Sequence, residues 1–69
     1  MRRFEVGKIY KEHESRPYIV IARTKKTVTV QRIVHQGRPN EFREEAETKR
    51  VYEWEGREVI NPHDETIEA

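Results

Sequence analysis

The sequence predicts an all-β domain: a small SH3-like antiparallel barrel, or a curved meander of five to six short strands. Three observations carry that prediction. Apolar residues are few, 33% of the chain against 39% charged, and most are β-branched or aromatic; such a thin chain suits strands that bury one face only. The apolar segments are short and end at Gly, Pro, Asn or Lys-rich turns. Residues 27–34, TVTVQRIV, open with apolar–polar alternation through Gln31, the period of a half-buried strand.

Taken in order, FEVGKIY alternates around Gly7 and reads as an opening strand bent at that glycine. KEHESRP, closing at Pro17, reads as a loop. YIVIAR follows with five apolar residues in a row, too short a run for a helix. TKK then turns the chain; without Gly it calls for a type I turn or a slightly longer loop. In TVTVQRIV, Val28 and Val30 share one face and Thr27, Thr29 and Gln31 the other. HQGRPN is a second turn, marked by Gly37, Pro39 and Asn40.

Residues 41–54, EFREEAETKRVYEW, admit two structures. Extended chain is favoured through most of the stretch. The alternative is a helical turn near 41–47, capped by Asn40 with Glu41, Glu44 and Glu45 at its positive end. Glu55 and Gly56 turn the chain into REVI, Pro62 stops that strand, and Ile67 lies on a last short edge strand. The candidate core is Phe4, Val6, Ile9, Tyr18, Val20, Ala22, Val28, Val30, Val51, Val59, Ile60 and Ile67.

At 69 residues the chain is expected to form one domain, 1–69. A core of this size rarely supplies more than ~3–5 kcal/mol of net stability. The sequence has no Cys, which excludes disulfides and thiolate metal sites and fits a reducing, cytoplasmic setting. No apolar run approaches the roughly 18 residues of a membrane span, and MRRFEVGKIYK lacks the apolar centre of a signal peptide.

Net charge is only +1, yet it conceals an asymmetry. Residues 1–38 hold ten Lys or Arg against three Glu, a net of +7; residues 39–69 hold four against ten Asp or Glu, a net of −6. Two readings follow. Basic and acidic strands lie side by side and pair across the sheet, or each half presents an interaction surface.

FEVGKIY, RTKKTVTV and YEWEGREVINP with a final Ala, in that order, resemble a group of very short uncharacterised bacterial proteins linked to phages and mobile elements. The similarity covers roughly half the chain, and the acidic EFREEAE stretch departs from it. The resemblance brings no catalytic motif and implies no assigned function; it suggests a mobile-element setting.

Catalytic chemistry finds little footing. Ser15 has His13 nearby, but a neighbour in a loop is not a triad. Carboxylates at Glu44, Glu45 and Glu47 read as solvated surface rather than an acid–base pair, which needs a cleft. His13, His35 and His63 fall in three separate loops without zinc-ligand spacing, so neither a metal nor another cofactor is expected.

Binding is the remaining class. Arg23, Lys25, Lys26 and Arg32 cluster on one hairpin, the residue types that contact phosphates, with Arg2, Arg3, Lys8 and Arg16 as further cations. Tyr10, Tyr18, Tyr52 and Trp54 are the rings on which DNA or RNA bases would stack. The pI of about 8.1 lies below the value of about 9 expected of a dedicated nucleic-acid binder. The acidic half favours a protein partner instead, or self-association, through Glu44, Glu45, Glu47 and Trp54. The expected function is therefore a non-enzymatic module that binds protein, as an accessory or inhibitor protein, with nucleic-acid binding through the hairpin 23–32 as the alternative. Neither a membrane nor a small-molecule substrate is expected.

Overall fold

A computed structural model describes residues 1–11 and 16–69. The strands are β1 (Ile9–Tyr10), β2 (Tyr18–Arg23), β3 (Thr27–Val34), β4 (Phe42–Arg43), β5 (Glu47–Arg50), β6 (Tyr52–Trp54), β7 (Arg57–Ile60) and β8 (Ile67–Glu68). A 3-10 turn over Pro62–Asp64 precedes β8. No helix among the described residues is long and apolar enough to cross a membrane. Part of the KEHESRP loop, with Ser15 and His13, lies outside the described residues.

The strands form two antiparallel sheets. In the larger, β1 pairs β2 and β2 pairs β3; the far edge of β3 carries β5 at its start and β4 at its end. The smaller runs β6-β7-β8. Beyond the end of β8, Arg2 joins β7 in an isolated parallel bridge to Arg57. The chain crosses between sheets at Val51, whose N–H donates to the Lys26 carbonyl at 2.8 Å. Phe4, Tyr18, Val20, Val28, Val30, Ile60 and Ile67 form one buried cluster contributed by both sheets. Val28 and Val30 point inward as their alternation predicts, and Ile33 and Val34 are buried as well.

Four expectations are corrected, the strand number (eight rather than five to six) among them, and of the two structures weighed for residues 41–54 the favoured extended chain is the one found. The sheets do not close into a barrel: β1 and β6 each pair on one side only. No helical turn forms over 41–47. Phe42–Arg43 and Glu47–Arg50 pair with β3, and Glu44 between them donates its N–H to the Arg32 carbonyl at 2.9 Å. A long strand offers this segment a ladder, whereas its two apolar residues offer a helix almost no packing.

Val6 and Ile9 are 59% and 45% exposed rather than core. Gly7, at φ 89°, turns the chain and donates its N–H to the Val20 carbonyl at 2.7 Å. Val6 sits in that turn, which the Lys8 N–H closes on the Glu5 carbonyl at 3.2 Å, and Phe4 and Tyr10 on either side of it meet edge to face at 4.8 Å.

Ala22 is exposed for a different reason. A bulge at Ile21 pairs Ala22 with the outward Thr29 and places Arg23 opposite the inward Val28. One extra residue reverses the faces of everything after it.

Candidate functional site

Because of that bulge, Arg23 enters the protein instead of extending from it. Its Nη1 donates to Glu58 Oε1 at 2.7 Å and to the Phe4 carbonyl at 2.7 Å, and Nη2 donates to Glu58 Oε2 at 3.0 Å. Glu58 Oε1 also accepts the Phe4 N–H at 2.8 Å. Glu58 is a buried carboxylate, and a buried charge of this kind must be paired and hydrogen-bonded. The Arg23 hydrogen bonds, opposed by burial and helped by the Phe4 N–H, hold its pKa below the usual carboxylate range.

Arg32 is also committed internally. It forms a two-pronged pair with Glu44, Nε to Oε2 at 2.6 Å and Nη2 to Oε1 at 2.9 Å. One expected phosphate contact and one expected partner contact thus satisfy each other, and the pairing draws the Glu44 pKa down. Beside them the Tyr18 hydroxyl donates to Glu65 Oε2 at 2.5 Å. Burial first, and then this bond, push the Tyr18 pKa up. Glu47 is taken up by Lys49 at 2.9 Å and by His63 Nε2 at 3.1 Å. Glu45 stays exposed. Among the described residues no group of His, Asp or Glu is placed to hold a metal ion.

Lys25 and Lys26 remain outside, on the hairpin tip. The turn is held by Thr24, whose N–H donates to the Thr27 carbonyl at 2.9 Å and whose Oγ1 accepts the N–H groups of Lys26 and Thr27. Of the four tyrosine and tryptophan rings read as a stacking surface, Tyr18 is buried and Tyr10 packs on Phe4. Tyr52 and Trp54 are 55% and 56% exposed.

These two rings stand on β6, an outermost strand. Residues two apart share a face, so Tyr52 and Trp54 lie together, opposite Val59 and Arg57 across the ladder. Arg57 is itself paired to Glu68 at 3.0 Å. Glu53 points to the other face, and its backbone is the informative part. Its ladder partner Glu58 uses N–H and C=O on the opposite side, bonding the Arg2 carbonyl and the Ala69 N–H, each at 2.9 Å. Glu53–Glu58 is therefore the non-hydrogen-bonded pair, and both main-chain groups of Glu53 face the open edge. Glu53 and Glu55 have no ion-pair partner among the described residues.

Sequence reasoning missed Glu58 and the edge groups of Glu53. An acidic residue in an apolar REVI strand was the only available signal for the first; the second depends on ladder register. Comparison with protein-family models, curated proteins and solved structures finds no match.

Proposed function

We propose that this chain is a non-enzymatic, single-domain protein-binding module that adds an extended, Lys- or Arg-bearing segment of a partner to the edge of β6. The observation that carries this is the pair of outward main-chain groups on Glu53, flanked by two exposed rings on one face. An edge N–H and C=O recruit a strand, and adjacent side chains give it specificity.

The rings support the same reading. Burying either one would add about 1.5–3 kcal/mol to a domain that has little to spare. A lean chain that keeps Trp and Tyr outside has placed them where binding hot spots are richest. A partner cation over Trp54 gains about 0.5–1 kcal/mol, and the carboxylates of Glu53 and Glu55 favour the same charge. An accessory or inhibitor role in a mobile-element setting, in the cytoplasm, belongs to this proposal. So does an SH3-like arrangement, supported by the crossing at Val51 and the Arg2 bridge to β7, which link the two sheets without closing them.

The test is a 15N-resolved NMR titration with a peptide of roughly seven residues alternating Lys with Val. Shifts should concentrate on residues 51–57. Glu53→Pro removes the outward N–H and leaves the ladder to β7 intact, since that N–H is not used there. It should weaken binding at least ~10-fold, as should Trp54→Ala. Equal affinity in Glu53→Pro, or shifts centred on the hairpin tip, would overturn the proposal. A dimer seen by sedimentation equilibrium and lost in Glu53→Pro would assign the edge to a second copy.

A further inference from the structure

We infer that a second, separate surface binds the phosphate backbone of nucleic acid: a basic groove between the β2–β3 hairpin tip and the segment around Arg2 and Arg3. Two adjoining depressions share Met1, Arg3 and Glu5. Together they are lined by six cations, Arg2, Arg3, Lys8, Arg23, Lys25 and Lys26, and by two carboxylates, Glu5 and Glu58. That is a net of +4 on a chain whose total is +1, so the rest of the sequence carries −3. Near-neutral overall charge thus hides a strongly basic groove, and local field rather than total charge concentrates an anion.

Both carboxylates are already compensated. Glu58 is held by Arg23, and Glu5 Oε2 pairs with Lys8 at 3.1 Å. Arg2, Arg3, Lys25 and Lys26 have no carboxylate partner among the described residues. They are also held in place. Arg2 is bonded on both sides to the β7 strand, its N–H to the Gly56 carbonyl and its carbonyl to the Glu58 N–H, at 2.9 Å each. Lys25 and Lys26 sit on the turn braced by Thr24. Arg23 ties the two segments together, since one guanidinium reaches both the Phe4 carbonyl and Glu58. The arginine that fails as a phosphate contact is the positioning residue for the cations that make one.

The groove suits phosphodiester better than an acidic peptide. The strand edge it borders is occupied by Arg2 and Ala69, which leaves a peptide no ladder to join. A phosphate backbone needs only spaced cations, and guanidinium matches phosphate geometry.

Fluorescence anisotropy tests this with a labelled oligothymidylate of ~20 nucleotides and a duplex of ~20 base pairs, between ~20 and ~200 mM salt. Four unpaired cations predict a slope of log K against log salt of about −3 to −4. Lys25→Glu with Lys26→Glu should weaken binding ~30-fold or more and flatten that slope by about 2. Arg3→Glu, from the other segment, should weaken it ~10-fold. Arg38→Glu with Arg43→Glu makes the same charge change away from the groove and should leave affinity within about 3-fold. Circular dichroism is to check that each exposed-site variant is folded. The inference is overturned if wild type binds neither nucleic acid at the lower salt. It is equally overturned if the two double variants lose affinity alike, or if polyglutamate competes as well as unlabelled oligonucleotide.

Discussion

Arg23 is the residue on which the molecule's organisation turns. Beside Lys25 and Lys26 in sequence it looks like part of a cationic tip, yet the Ile21 bulge sends it inward to Glu58. Removing one partner of a buried pair costs about 3–5 kcal/mol, because the other is left uncompensated. That is the whole stability expected of a domain this small. Arg23→Met alone should therefore leave the protein largely unfolded at room temperature. Arg23→Met with Glu58→Gln removes both charges and keeps an acceptor for the Phe4 N–H, and should recover at least ~1.5 kcal/mol of that loss. Urea unfolding of the two variants decides the matter; a double variant no more stable than Arg23→Met would mean the charge pair is not what holds the site. No residue in YIVIAR announces the bulge, since an unbroken apolar run has no alternation whose slip could be seen.

At the level of elements, legibility followed local chemistry. TVTVQRIV, the Glu55–Gly56 turn, the stop at Pro62 and the short strand at Ile67 were all readable, because alternation and turn residues act within a few positions. Residues 41–54 were legible as mostly extended chain, but a helical turn near 41–47 stayed open as an alternative, because residues 42–50 take their structure from the far edge of β3, a partner distant in sequence. The two-residue turn between β6 and β7 gives a prediction of its own. Glu55 and Gly56 both adopt positive φ, 49° and 77°, the signature of a type I′ hairpin. Asn tolerates that region better than Glu, so Glu55→Asn should stabilise by about 0.5–1 kcal/mol. A Cβ at Gly56 meets nothing within 4 Å, so Gly56→Ala should cost about 1–2 kcal/mol through backbone strain alone. Thermal midpoints that move the other way for either variant would rule out this turn. The turn also sets the register of β6, hence the direction in which Glu53 offers its backbone.

Across the whole molecule, the charge split in the sequence proves to serve two ends. Part of it is consumed in pairs that join the halves, Arg23 with Glu58 and Arg32 with Glu44, and that part was foreseeable from strands having to lie side by side. Part of the remainder is grouped in space, Arg2, Arg3, Lys25 and Lys26 at the groove and unpaired Glu53 and Glu55 at the β6 edge, which no count along the chain reveals. The internal pairs also fix a pH window. The Glu58 and Glu44 carboxyls titrate below their ordinary value of 4.5 in the folded protein. Their contribution is present above that value and is lost as pH falls through the depressed one. The Tyr18 hydroxyl behaves oppositely. Its pKa is raised above the ordinary 10.0, so its contribution is intact below that value and is lost as pH climbs beyond it. Thermal midpoints should therefore be flat from about pH 5 to pH 9 and fall on either side. Tyr18→Phe should flatten the alkaline limb and leave the acid limb in place, and Glu44→Gln should shrink the acid limb while leaving the alkaline one. An alkaline limb unchanged in Tyr18→Phe would show that Glu65 and the surrounding core do not hold that hydroxyl, and with it the start of β2, in the folded protein.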